Sequence, residues 1–175
     1  MIAPILLTTM LLIAVRSDLA AQRIPNALVA WGALAALVAS MAPGGLGLAY
    51  ALAGFLLGLL ALLPLYALRA LGAGDVKLMA AVGAFIGPHA LPFALLATFV
   101  AGGLMTVFIS LYRGTSRQLF CNVRDMLCSA WWRLACREAP VLEPATISAG
   151  KMPYALAIAA GAWCQMALDA WFRSG

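Results

Sequence analysis

Apolar runs at residues 1–15, 27–42, 46–68, 76–87, 91–111 and 153–172 take up most of this chain, and they dictate what it can fold into. Hydrophobic residues make up 65% of the sequence and charged residues only 10%, where soluble domains carry roughly 25% charged residues. Such a surface cannot all face water. The pattern predicts an all-α polytopic membrane protein of six transmembrane helices, forming one domain over residues 1–175. Turn residues mark the boundaries: Pro25-Asn26, Pro43-Gly44-Gly45, Gly72 to Gly74 and Gly87-Pro88. The one long polar stretch, about 113–151, is read as a cytosolic or interfacial insertion. Its residues 123–137, with Trp131 and Trp132, have the look of an amphipathic helix lying on the inner leaflet.

The net charge of +5 might suggest nucleic acid in another setting, but in a membrane chain basic residues report orientation first. With the amino terminus outside, ten of the eleven basic residues fall on inner segments and only Arg173 falls outside. That asymmetry predicts both termini outside, a bilayer partner and no nucleic acid. The hydrophobic start has no basic residue before Arg16, which is the wrong order for a secretory signal. Cys121, Cys128, Cys136 and Cys164 form no C-x-x-C pair, and no histidine stands at metal-ligand spacing, so they read as free thiols with no metal or other cofactor.

Within this apolar frame two acids stand out. Asp18 follows the first run and Asp75 precedes the fourth, so two crossings return the chain to the same face and bring residues 57 positions apart to one depth. Both flanking runs are shorter than the ~20 residues a bilayer requires. The helices are therefore expected to continue through Asp18 and Asp75. A carboxylate at that depth needs a partner or a wet cavity. Two carboxylates brought together tend to share one proton, which supplies a general base and a general acid around a common water. That chemistry hydrolyses a peptide bond without a metal or a nucleophilic side chain.

Each acid also has a structural alternative. Asp75 is suited to cap the following helix, and Asp18 is suited to pair with Arg16 or Arg23. Gly72 and Gly74 allow close approach of an extended substrate beside Asp75. Pro25-Asn26 reads as the turn that opens the second span, with Asn26 as a polar contact. Lys77 either tunes the acids or snorkels to the interface. Gly54 and Gly58 form a G-x-x-x-G packing face, and Pro64 is expected to kink that helix. Asp125, Glu138, Glu143 and Asp169 read as solvated charges, and His89 sits in an outer turn far from either acid.

The stretches "SDLAAQRIPN", "GAGDVKLMAAVGAFIG" and "KMPYALAIAAG" together resemble the type IV prepilin peptidases, polytopic aspartic proteases of the Gly-x-Gly-Asp type. The resemblance implies Asp18 and Asp75 as the catalytic pair. It further implies prepilin or pseudopilin substrates cut at the cytosolic side of the bacterial inner membrane. Only residues 16–26 separate the first two runs, so the zinc-bearing loop and methyltransferase of long family members have no counterpart. The chain is similar to the short form associated with Flp, or tight-adherence, pili. Rival readings are a non-enzymatic membrane scaffold of a pilus or secretion assembly, a proton-coupled transporter, and a preflagellin-type peptidase.

Overall fold

The computed structural model describes residues 2–67, 71–112 and 154–174, together with Gly114, Cys121, Arg124 and Cys128. The amphipathic helix expected at 123–137, with Trp131 and Trp132, lies outside the described residues, apart from Arg124 and Cys128. Helix α1 (Ile2–Ala21) runs on through Asp18, as the short first run requires. It ends where Gln22 takes a left-handed φ of 50° and its N–H bonds back to the Asp18 carbonyl at 2.8 Å. Pro25, extended at φ −61° and ψ 127°, is the N-cap of α2 (Asn26–Ser40) and accepts from the N–H groups of Leu28 and Val29. Proline suits this place because its ring presets φ and no N–H is lost from the helix.

Helix α3 (Leu48–Ala67) contains Pro64 within its length. After it comes α4 (Ala73–Tyr112), which is broken at Gly87, where φ is 80° and ψ is 171°. A Cβ placed on Gly83 would lie 3.2 Å from Leu91 Cδ2, a contact eight residues along that an unbroken helix rising ~1.5 Å per residue would put out of reach. Residues 73–86 and 88–112 therefore form two arms that fold back on each other. The break falls at the Gly87-Pro88 turn expected between the fourth and fifth runs. Helix α5 (Tyr154–Ser174) completes the described residues.

By length and composition α1, α3, α4 and α5 can each cross a membrane. Helix α2 has 15 residues and spans about 22 Å, less than the ~30 Å of a hydrocarbon core. The described residues are all-helical, and their long apolar helices make this a multi-pass membrane protein. Large apolar side chains cover the outside, among them Trp31, Leu34, Leu60, Val100 and Phe108. That surface suits lipid, where no water is available to penalise it.

The first arm of α4 is the centre of the bundle. Leu78, Met79, Ala80, Ala81, Val82 and Ala84 are all fully buried, as expected of a helix that is apolar all round. Its small residues let α3 come within backbone contact. A Cβ on Gly54 would collide with the Gly83 carbonyl, one on Gly83 with the Gly54 carbonyl, and one on Gly58 would lie 2.7 Å from the Met79 carbonyl oxygen. The G-x-x-x-G face is thus a packing face. The second arm packs on α5 in the same manner, with Gly161 against Ala94 and Thr98 and Gly102 under the Tyr154 ring. Helix α1 turns Leu7, Leu11, Ala14 and Asp18 inward, a stripe in which the acid occupies the last position.

A pair of carboxylates at one end of the bundle

The stripe on α1 explains why Asp18 faces the interior. Positions spaced four, three and four residues apart lie on one face of a helix, so an acid at the fourth position follows the leucines inward. Asp18 is only 7% exposed. Its Oδ2 accepts the Ala155 N–H at 3.1 Å, one of the donors in the first turn of α5 that have no partner within their own helix. The positive end of α5 favours a carboxylate there. The pairing with Arg16 or Arg23 weighed from sequence is not what holds it, since both arginines are exposed while Asp18 points into the bundle.

Asp75 is half-buried in the first turn of α4, so this helix also continues through its acid. Sequence suggested Asp75 as the cap itself. Instead, Gly72 is the N-cap: its carbonyl accepts from the N–H groups of Asp75 and Val76. The Asp75 Oδ2 accepts the Gly72 N–H at 3.2 Å. This is the return half of a capping box, with the acid at the third helical position reaching back to the cap.

The two acids lie within electrostatic reach of each other, and so do Asp75 and the Tyr154 phenol. The end of α1, the start of α4 and the start of α5 thus converge at one end of the bundle. One carboxylate is buried and one is half-exposed.

The remaining expected residues gather at the same end. Lys77 Nζ donates to Asn26 Oδ1 at 3.1 Å, tying the start of α2 to the start of α4. Lys77 therefore has a fixed partner in the α1–α2 turn. Pro25 shapes that turn from outside the pair. Gly72 is exposed, and a Cβ placed on it would lie 3.1 Å from Asp75 Oδ2. Gly74 differs: its open face is taken by the side chain of Ile24.

Three further residues contribute to this end of the bundle with little signal of their own in the sequence. Ile24 belongs to the Ile-Pro-Asn turn. Tyr154 and Ala155 open α5, and a hydrophobic helix starting with no Ser, Thr, Asp or Asn cap of its own was the available signal. At the far end of the bundle, His89 stands with its ring 6.0 Å from that of Tyr50. Asp169, read as a solvated charge, accepts the Gln165 Nε2–H at 2.9 Å within α5. Cys121, Cys128 and Cys164 are free thiols.

Comparison with curated proteins and with solved structures gave no match. A family model described as the type IV leader peptidase family matches residues 5–107, more than half of the chain and the part that carries both acids. Members of that family are peptidases of the aspartic type, in keeping with a membrane helix bundle that closes around two carboxylates. The chain belongs to the type IV leader peptidase family.

Proposed function

We propose that this protein is a prepilin leader peptidase of the short, Flp or tight-adherence type, with Asp18 and Asp75 as its catalytic pair. The observation that carries this reading is the convergence of the two acids from separate helices at one end of the bundle, within reach of each other's charge. In the proposed reaction the ionised carboxylate takes a proton from water, and the water oxygen attacks the leader-peptide carbonyl. The protonated carboxyl donates to that carbonyl while it becomes tetrahedral. The C–N bond then breaks as the carboxyl that took the water proton passes it to the departing nitrogen, which leaves as the amine of the mature pilin. The tetrahedral diol returns a proton to the other carboxylate, so that the new carboxyl end forms and the pair again holds one proton. Substrates are prepilins or pseudopilins whose own apolar helix lies in the bilayer beside the enzyme.

In this reading the chain crosses the bacterial inner membrane six times with both termini outside, counting α2 and the two arms of α4 as separate spans. The acids then lie at the cytosolic face, where the basic residues gather. A substituted-cysteine accessibility map that placed residue 22 and residue 72 outside would refute that topology.

The test of activity is co-expression with a candidate prepilin, following leader removal by gel shift in wild type, Asp18→Asn and Asp75→Asn. Asparagine keeps an oxygen for the Ala155 or Gly72 N–H but cannot exchange the catalytic proton. Loss of cleavage in both folded variants is the expected result. The scaffold reading keeps one specific support, because each carboxylate already accepts a backbone N–H at a helix start. It requires processing to survive in both variants, and that result would overturn the peptidase.

A further inference from the structure

Gly74 lies in the first turn of α4, one residue before Asp75, and the side chain seated on it comes from the α1–α2 turn. A Cβ at Gly74 would stand 3.2 Å from Ile24 Cβ and 3.6 Å from both Ile24 Cγ1 and Cδ1. That turn is braced to the end of α1 in two ways. The Gln22 N–H bonds to the Asp18 carbonyl at 2.8 Å, and Ser17 Oγ donates to the Arg23 carbonyl at 2.8 Å. On its other side it is tied to α4 by the bond from Lys77 to Asn26. Asp18, the braced turn, Ile24, Gly74 and Asp75 thus form one continuous chain of contacts.

The geometry points to Ile24 as a positioning residue: its seat on Gly74 sets how far Asp18 stands from Asp75. Glycine is required at position 74 to admit this side chain, rather than to give room to an extended substrate. The inference rests on the proposed peptidase reading for its catalytic consequence, but the contact itself is testable without activity. A methyl group at position 74 meets Ile24 at a separation tighter than ordinary van der Waals contact. Its nearest neighbour is a Cβ, fixed to the backbone, so relief moves the turn itself. Because the turn is bonded to the last turn of α1, Asp18 moves with it.

The experiment is a double-mutant cycle between Gly74→Ala and substitutions at Ile24, in the full chain purified in detergent. Ile24→Ala removes Cγ1 and Cδ1 but leaves the nearest atom, so Ile24→Gly is the decisive partner. Gly74→Ala is expected to lower kcat about tenfold with KM near wild type, short of the roughly hundredfold that 1 Å of misplacement costs. Adding Ile24→Gly to Gly74→Ala restores kcat relative to the product of the single effects, and Ile24→Ala restores it partly. If the glycine instead serves the substrate strand, Gly74→Ala raises KM and neither change at Ile24 rescues it. That outcome overturns the inference. The melting temperature supplies the readout that needs no substrate: Gly74→Ala lowers it in the wild-type background and not in the Ile24→Gly background. Strictly additive melting shifts would refute the contact. A wild-type protein that cleaves no prepilin, with the melting cycle still coupled, would refute the peptidase and leave the contact standing.

Discussion

The substitution Gly54→Ala sets helix propensity against packing, and the structure decides which wins. Alanine is favoured over glycine in a helix interior by ~0.8–1.0 kcal/mol. At Gly54 the new methyl meets the Gly83 carbonyl group, with its carbon at 2.8 Å and the Gly87 Cα at 3.0 Å. These neighbours are backbone, so no side chain can rotate away. To bring even the carbonyl carbon to ordinary contact, α3 and the first arm of α4 must part by at least about 0.6 Å, and the nearer carbonyl oxygen demands more; a gap of roughly 0.5–1 Å already forfeits a quarter to a half of each dispersion contact along the face. Overpacking of this kind costs about 1–3 kcal/mol, and backbone on both sides puts Gly54 at the upper end. The net expectation is a loss of about 2 kcal/mol after the propensity gain. For a chain of this size that lowers the melting temperature by roughly 4–8 °C. Thermal unfolding in detergent measures it, with Gly103→Ala as the control. Gly103 is helical and exposed, and among the described residues nothing lies within 4 Å of a Cβ placed there. Its substitution should be neutral or slightly stabilising. The packing argument fails if Gly54→Ala melts with or above the wild type, or if the two variants fall together. Prepilin cleavage should fall with Gly54→Ala as well, because the displaced arm carries Asp75.

Other perturbations separate local from distant roles. Asp18→Ala leaves the buried Ala155 N–H without its acceptor and should cost about 1–3 kcal/mol in unfolding free energy, whereas Asp18→Asn should stay near wild type in stability while losing cleavage. Gly87→Ala forces a Cβ into a backbone region open to glycine alone, at φ 80° and ψ 171°, for a cost of about 1–3 kcal/mol that a melting curve will show; a melting temperature at or above wild type would mean that the arms do not need that conformation. Asn26→Ala and Lys77→Met each remove one exposed hydrogen bond and should cost no more than ~1 kcal/mol, and the double variant should be no worse than the poorer single. Additive losses would show that the two residues act through different partners.

Hydrophobic periodicity and punctuation made much of this molecule legible in advance. The apolar runs became helices, the Pro25-Asn26 turn opened α2, and Gly87-Pro88 marked the break in α4, because proline and glycine restrict or free the backbone wherever they occur. The shortness of the first and fourth runs already required both helices to extend through their acids. The Gly54 and Gly58 face was readable as well, since small residues four apart leave a groove on any helix. Asp18 followed an inward stripe that the spacing of Leu7, Leu11 and Ala14 discloses.

What each acid touches was a different matter. Sequence offered Asp75 as a cap and Asp18 as the partner of a nearby arginine, both of them local bonds. The helix start gave the N-cap to Gly72, with Asp75 reaching back to it in another local bond, and tertiary packing turned Asp18 toward Ala155, 137 positions away. The seat of Ile24 on Gly74 and the bond from Lys77 to Asn26 likewise depend on the distance at which α1, α2 and α4 meet. Periodicity reports which face of a helix is buried. It carries no information about which residue of another helix stands opposite, because that register is set by the depth of backbone contact at Gly54, Gly83 and Gly161. The sequence by itself therefore determined the helices, their inward faces and the end of the bundle at which the acids lie. Only the packed bundle decided which group of another helix meets Asp18, since a hydrogen bond of about 3 Å between helices requires a precision that close packing supplies.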